Sequence, residues 1–171
     1  GGVSVGPDGA THQALEEIAT MRVLPNMTVL SPCDYHEAFR ATVAAAKHEG
    51  PVYLRFGREA VPMITRPDDA FELGRAIRWR EGDDVALLAT GHMVYHALLA
   101  AEKLAEDDIE AMVLNLHTIK PLDGQAVIDA ASHCGCVVAC EEHQTTGGLG
   151  GAIAELLAQH RPTPMRFIGV Q

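Results

Sequence analysis

Short, mainly apolar segments alternate with helical patterns in the second half of the chain, and this alternation constrains the fold more than any other feature. The apolar segments are DVALLAT (84–90), IEAMVLNLH (109–117), GCVVAC (135–140) and MRFIGV (165–170). The helical patterns between them span about 92–105, 123–132 and 148–160. Strands that lack polar alternation are typical of sheets buried on both faces. The sequence therefore predicts an α/β fold with a mainly parallel sheet and helices on both sides.

The first part of the chain predicts a loop followed by a helix, a strand, a second helix and a second strand. The first helix is predicted from Thr11 to Arg22, because its apolar residues recur on one face. The strands are predicted at 27–31 and 51–56, and the helix between them has a capping start and a glycine stop. From 57 to about 73 the chain has two prolines and no period, which indicates a connecting segment.

Composition excludes several classes of partner. The chain has 13 Lys+Arg against 23 Asp+Glu, and its formal net charge of −10 disfavours nucleic acid as a ligand. No apolar run approaches the roughly eighteen residues of a membrane helix, so no membrane partner is expected. No signal peptide is visible, and the four cysteines do not suggest a disulfide framework in a chain of 171 residues. We therefore expect a reducing, cytoplasmic location.

The stretch SHCGCVVACEEHQTTGGLGG (132–151) concentrates residues that often carry chemistry. Cys134, Cys136 and Cys140 are predicted to share one face of a buried strand, where cysteine acts as a small hydrophobe. Their spacing does not match the paired cysteines of a structural zinc site, so no metal site is expected. The glycines lack the Lys-Ser/Thr of a P-loop and the dinucleotide spacing. A tight strand-to-helix turn is therefore favoured over a phosphate cradle.

The opening loop is a second candidate site. GPDGATHQ (6–13) places Asp8, Thr11 and His12 in a glycine-flanked turn at the start of the predicted helix. A helix N-terminus offers free N–H groups to anionic ligands, and a histidine there suits hydrogen bonding or acid–base work. The chemistry alone leaves two interpretations open: either these residues bind a ligand, or Asp8 shapes the turn and His12 covers the first helical turn.

The same loop carries a family resemblance. GPDGATHQALEEIATMR (6–22) closely resembles the second signature of transketolases, Gly-x-Asp-Gly-Pro/Ala-Thr-His-Gln followed by an arginine. The resemblance continues over essentially the whole chain, in SPCDYHEA (31–38), GPVYLRFGREAVP (50–62), LLATG (87–91), HTIKPLD (117–123) and EEHQTTGGLGGAIAE (141–155). The chain is most similar to the smaller, C-terminal subunit of split bacterial transketolases.

The resemblance implies a domain organisation and an activity. Residues 1–61 would be the C-terminal part of a pyrimidine-binding α/β domain, 62–73 a linker, and 74–171 a C-terminal α/β domain, itself incomplete. The activity would be transfer of a two-carbon ketol unit between sugar phosphates, as in pentose phosphate metabolism. The cofactor would be thiamine diphosphate with a divalent metal such as magnesium. The protein would form a homodimer, or bind a partner subunit that carries the diphosphate-binding domain.

The resemblance also assigns roles to residues of the chain. Asp8 would contact a substrate hydroxyl, and His12 would lie beside the thiazolium of the cofactor and the substrate oxygens as the catalytic residue. Arg58 would bind the sugar phosphate, for which a planar guanidinium is well suited. Arg55 is an alternative, although its place within the predicted strand favours a structural role. Arg22 would support the loop by bonding backbone carbonyls.

The family's cofactor-activating glutamate and aromatic pocket would precede residue 1, and its diphosphate and metal site belongs to another domain. We therefore expect a piece of a longer protein, with no assigned cofactor-binding residue and no cofactor or turnover when it is alone. Three other interpretations stay open. The chain could belong to a 1-deoxyxylulose-5-phosphate synthase, which typically has a second histidine where this chain has Gln13. It could come from the β subunit of a 2-oxo acid dehydrogenase, or be a non-catalytic assembly module.

Overall fold

The structure is a computed structural model that describes all residues from 1 to 171. The helices are α1 (Glu17–Val23), α2 (Tyr35–Lys47), α3 (Met93–Ala105), α4 (Gly124–Cys134) and α5 (Leu149–His160). The strands are β1 (Thr28–Leu30), β2 (Val52–Leu54), β3 (Ile77–Arg80), β4 (Val85–Ala89), β5 (Ala111–Asn115), β6 (Thr118–Lys120), β7 (Val137–Gln144) and β8 (Met165–Val170).

The larger sheet has the strand order β3-β5-β4-β7-β8. Strands β5, β4, β7 and β8 pair in parallel, and β3 joins one edge antiparallel. Alternate residues of β4 face opposite layers: Leu87 and Ala89 pack in one core with α3, whereas Ala86 and Leu88 pack in another with α4 and α5. Burial on both faces explains why the central strands β4 and β5 lack polar alternation, whereas the edge strand β8 is largely exposed. The predicted mainly parallel α/β sheet is confirmed.

The smaller sheet has the order β2-β1-β6, and its third strand was not predicted. Strands β1 and β2 are parallel, whereas β6 comes from the second half of the chain and runs antiparallel to β1. The Lys120 side chain at the end of β6 donates to the carbonyls of Arg22 and Leu24, at 2.8 and 2.6 Å, where α1 ends. The two halves of the chain therefore share a sheet.

The first helix is shorter than predicted, beginning at Glu17 rather than Thr11. The Gly2 amide donates to the Ala14 carbonyl at 2.7 Å, and the two residues form an antiparallel bridge. A residue that pairs as in a sheet is extended and cannot belong to a helix, so α1 starts only after this bridge. Thr11 and His12 consequently lie in the loop.

The prediction that three cysteines share one strand face is wrong. Cys134 is the last residue of α4, and Gly135 ends that helix with a left-handed φ of 74°. Cys136 precedes β7 and is half-buried, and only Cys140 lies within the strand. Burial raises the pKa of the Cys140 thiol to about 12, as expected for a thiol in an apolar environment. Because the chain turns at Gly135, Cys134 and Cys136 are not on one strand, and their spacing of two residues does not place them on a common face.

Asp34 fastens the connecting segment to the start of α2. It is the N-cap residue, accepting the Glu37 amide at 3.0 Å, and it also accepts the amides of Ile64 and Thr65 at 2.8 and 2.6 Å. Its side chain is buried. Although burial alone would raise the pKa of Asp34, the bonds from Glu37 and Thr65 hold it below its ordinary value.

Asp34→Ala should lower the free energy of unfolding by about 2–4 kcal/mol, since several buried N–H donors lose their acceptor. Urea unfolding of the two proteins at neutral pH measures the difference. Asp68→Ala, at an exposed position of the same segment, is the control and should change little. Because the pKa of Asp34 is lowered in the folded state, its contribution persists above the unfolded pKa and is lost as the pH falls through the folded value. Equal stability of the two variants would contradict the capping role.

Candidate functional site

The candidate site is the loop of residues 3–13, which is closed at its base by the pairing of Gly2 with Ala14. Inside it, the Asp8 amide donates to the Gly6 carbonyl at 2.9 Å and the His12 amide to the Gly9 carbonyl at 3.1 Å. Gly6 and Gly9 have φ values of 95° and 80°, which side chains rarely adopt. Two glycine-dependent turns therefore present the polar side chains of the loop outward.

Two of the predicted substrate-binding residues are in contact. Arg58 donates from Nη1 to Oδ2 of Asp8, and the same nitrogen lies 3.4 Å from the Val5 carbonyl oxygen. The Arg58 side chain is 67% exposed and that of Asp8 is 31% exposed. Such an exposed ion pair holds little free energy. The guanidinium can therefore exchange its carboxylate partner for a ligand anion at small cost.

His12 is placed differently from the prediction. It is exposed, and its Nδ1 lies 3.0 Å from the Thr11 hydroxyl, its only side-chain hydrogen bond. It precedes α1 by five residues, so the expected position at a helix N-terminus is wrong. No hydrogen bond joins His12 to Asp8 or Arg58. The imidazole instead stands in the loop with its other nitrogen free to meet a ligand.

Arg55 and Arg22, the other two arginines considered in the sequence analysis, make structural contacts. Arg55 is buried and donates from Nε to Glu17 at 2.8 Å and from Nη2 to the Glu142 carbonyl at 2.6 Å. Arg22 donates to the carbonyls of Gly147 and Gly148. Bonding of backbone carbonyls by Arg22 was expected, but the carbonyls belong to the glycine-rich turn of the second half rather than to the loop itself.

In the glycine-rich turn (147–151), a side chain of the protein itself bonds the backbone amides that an anion could otherwise bind. The Glu141 carboxylate accepts the amides of Leu149 and Gly150 at 2.7 and 2.8 Å, which caps α5. Burial raises the pKa of Glu141, and these two hydrogen bonds oppose the rise. A Cβ on Gly148 would overlap this carboxylate, and one on Gly150 would overlap the Phe167 ring. The glycines thus allow close helix packing, in agreement with the predicted tight turn.

The three residues after Glu141 contact the first half of the chain, which the sequence did not reveal. The Glu142 carboxylate accepts amides from the loop, and the Gln144 backbone amide donates to Leu15 O at 3.0 Å. Nε2 of His143 lies 3.4 Å from the Ala19 amide and accepts its hydrogen, since Nδ1 donates to the Gln144 carbonyl. Consecutive polar residues at the end of an apolar strand were the available signal, because buried polar groups need partners.

An apolar cavity of about 660 Å³ lies beside the loop rather than in it. Its lining includes the exposed rings of Phe39 and Phe56 and the Met63 side chain, together with Arg55 and His92. Burial lowers the pKa of His92, and the nearby Glu142 carboxylate partly opposes this effect. Asp8, His12 and Arg58 do not line the cavity.

No three side chains of His, Cys, Asp or Glu converge on a possible metal position. None of the five helices combines the length and apolarity of a membrane span.

The layered parallel sheet, the shared second sheet and the exposed polar loop define an α/β protein of two closely joined parts. The profile of the transketolase pyrimidine binding domain matches residues 1–63, and that of the transketolase C-terminal domain matches residues 74–171. The chain belongs to the transketolase family. The resemblance found in the sequence is confirmed.

Relatives and a solved structure support the same assignment. The chain is 45% identical over 170 residues to the 6-deoxy-6-sulfo-D-fructose transketolase subunit SqwH of Clostridium sp. (strain MSTE9), spanning 99% of this chain and 53% of that protein. It is 44% identical over 158 residues to a 1-deoxy-D-xylulose-5-phosphate synthase of Thermomicrobium roseum, spanning 90% of this chain and 25% of that protein. A structure described as a split gene transketolase, inactive beta4 tetramer, superposes with a TM-score of 0.93 at 44% identity, over 95% of this chain and 55% of that one.

Proposed function

We propose that the chain forms part of a transketolase that uses thiamine diphosphate to move a two-carbon ketol unit between sugar phosphates. The chain spans about half the length of the Clostridium transketolase subunit that it resembles, so we assign the activity to a longer protein or an assembly. In this proposal residues 1–61 and 74–171 act as the two domains, joined by 62–73, in a cytoplasmic enzyme of pentose phosphate metabolism.

The observation that carries the proposal is the exposed pair of Arg58 with Asp8, which lies on a loop whose sequence matches the transketolase signature. A guanidinium binds a phosphate through two parallel hydrogen bonds, and a carboxylate accepts from a sugar hydroxyl. The pair offers both functions side by side. His12, exposed on the same loop, supplies an imidazole for oxygens that change charge during the reaction.

The anionic group of the substrate could be a sulfonate or a phosphate. The relatives carry names with a sulfo group in one case and a phosphate in the other. Both groups present several anionic oxygens, and Arg58 suits either. We assign phosphate, because a doubly charged anion gains more from the guanidinium than a singly charged one.

Transketolases depend on thiamine diphosphate, whose thiazolium carries the ketol unit when the cofactor is bound. Among the residues of this chain, no three His, Cys, Asp or Glu side chains converge on a possible metal position. We therefore propose that the diphosphate and magnesium bind to a separate diphosphate-binding domain, either on a partner subunit or within a homodimer of the longer protein. What this chain contributes is the substrate loop with Asp8 and His12, together with Arg58, which packs against that loop.

Reconstitution tests the proposal. The full-length protein that contains this sequence is mixed with the encoded partner subunit, thiamine diphosphate, magnesium, a ketose phosphate donor and an aldose phosphate acceptor. The expected product is a ketose phosphate two carbons longer than the acceptor, identified by mass spectrometry. A sulfonated acceptor is tested in parallel, and a preference for it would correct the assignment of phosphate.

The same assay distinguishes the other members of the wider enzyme group. A 2-oxo acid replaces the ketose donor in one arm, and formation of a 1-deoxy product there would indicate the synthase class instead. Loss of carbon dioxide from the 2-oxo acid without ketose formation would indicate a dehydrogenase subunit. An assembly without turnover on any donor would contradict catalysis and favour a structural role.

A further inference from the structure

The end of β7 holds both flanks of the candidate substrate loop. Oε1 of Glu142 lies 2.8 Å from the Val3 amide and 2.6 Å from the Ser4 amide, so one carboxylate oxygen accepts both hydrogens on the first flank. Two residues on, Gln144 donates from its backbone to Leu15 O and from its side chain to Glu16 at 2.9 Å, on the second flank. The loop is therefore fastened to the second half of the chain on both sides of its base.

The Glu142 side chain is buried and is surrounded by polar partners. Its side chain is 6% exposed, and its Oε2 has no hydrogen-bond partner but lies 3.4 Å from His92 Nδ1 and 4.0 Å from Arg55 Nη1. Arg55 also bonds the backbone carbonyl of Glu142. A buried carboxylate needs hydrogen bonds and a compensating charge, and the two loop amides and Arg55 supply them. A Cβ on Gly2 would overlap the carboxylate, so the loop backbone approaches it as closely as a glycine allows.

Only a few residues separate the amides that Glu142 holds from the side chains proposed to bind the substrate. Val5, directly after the amides held by Glu142, is buried, and its carbonyl accepts from Arg58. Arg58 in turn holds Asp8. The order of contacts along the chain is therefore Glu142, the Val3 and Ser4 amides, the Val5 carbonyl, and then the pair that would meet the substrate.

We infer that Glu142 is a positioning residue: it does not touch the substrate, but its carboxylate fixes the loop on which Asp8 and His12 stand and against which Arg58 packs. The second half of the chain thereby takes part in catalysis through the loop rather than only in assembly. This inference rests on the proposed function for its kinetic consequence, whereas its structural content is independent of the substrate.

The test uses the assembled full-length protein and two measurements. In Glu142→Ala the amides of Val3 and Ser4 should exchange hydrogen at least about tenfold faster, since a charge-assisted acceptor is lost, while exchange in β4 and β5 stays unchanged. With the ketose and aldose phosphates, kcat/KM should fall about tenfold or more through both KM and kcat, because binding and catalytic groups share the loop. Glu142→Gln keeps one acceptor oxygen and should recover part of both losses.

Glu155→Ala is the matched control, since it removes a glutamate of the second half that bonds Arg22 but not the loop. It should leave both measurements nearly unchanged. Gly2→Ala disturbs the same contact from the loop side and keeps the test decisive if Glu142→Ala does not fold. It should also accelerate exchange at Val3 and Ser4 and lower kcat/KM.

The outcomes separate the inference from the proposed function. Unchanged amide exchange in both Glu142→Ala and Gly2→Ala would overturn the inference even if the protein is a transketolase. Faster exchange throughout the sheet, equal to that in the loop, would show a general structural role and also overturn it. A wild-type protein without ketol transfer would refute the proposed function, and loop-specific exchange would still establish that Glu142 holds the loop.

Discussion

Replacing His12 with alanine should lower the turnover number of the assembled enzyme by about 10²- to 10³-fold and change substrate binding much less. The proposed role of the imidazole is toward oxygens whose charge changes during ketol transfer, and such interactions strengthen in the transition state. Steady-state kinetics with a ketose phosphate donor and an aldose phosphate acceptor measures the turnover number and the Michaelis constants separately.

The exposed position of His12 makes this variant easy to interpret. Its side chain bonds only Thr11, so alanine should leave the melting temperature nearly unchanged. His160→Ala, at the exposed end of α5, is the control and should keep full turnover. A His12→Ala enzyme with the wild-type turnover number would remove this residue from the mechanism and leave it as a feature of the loop surface.

Replacing Arg58 with alanine should raise the Michaelis constant for phosphorylated acceptors by roughly ten- to a hundredfold and leave the turnover number nearly unchanged. The proposed phosphate contact is the same in the ground state and the transition state, so its loss affects binding uniformly. A charge-assisted hydrogen bond of about 1.5–3 kcal/mol corresponds to this range. Unphosphorylated acceptors should respond little, and this contrast identifies the phosphate as the partner of Arg58.

The structure adds a consequence that the sequence did not show. Arg58 also contacts Asp8 and the Val5 carbonyl, but these contacts are exposed and hold little free energy, so their loss should leave the turnover number nearly unchanged. Arg58→Lys keeps the positive charge without the planar fork and should recover part of the affinity. Arg75→Ala, an exposed arginine without an ion pair, serves as the control. An Arg58→Ala enzyme impaired equally on phosphorylated and unphosphorylated acceptors would show that the residue orders the loop and does not bind phosphate.

Local patterns in the sequence were enough to predict the main architecture. The mainly apolar segments around Leu88 and Val113 predicted buried parallel strands, since strands covered on both faces typically lack polar alternation. The signature around Asp8 and His12 identified the loop and the family, and the capping start predicted for the second helix corresponds to Asp34 in the structure. Each of these signals depends on residues that lie close together in the chain.

Tertiary structure decided what depends on residues far apart. The pairing of Gly2 with Ala14 delayed the start of α1, and the pairing of β6 with β1 joined the two halves of the chain in one sheet. The sequence predicted only a buried strand and a tight turn in segment 132–151, yet the Glu142 side chain within it bonds the Ser4 amide, 138 residues away in the chain. A buried carboxylate takes whatever donors the fold brings to it, and a linear sequence does not show which amides arrive. The sequence alone thus determined the elements and the family, whereas the long-range hydrogen bonds that position the candidate site became visible only in three dimensions.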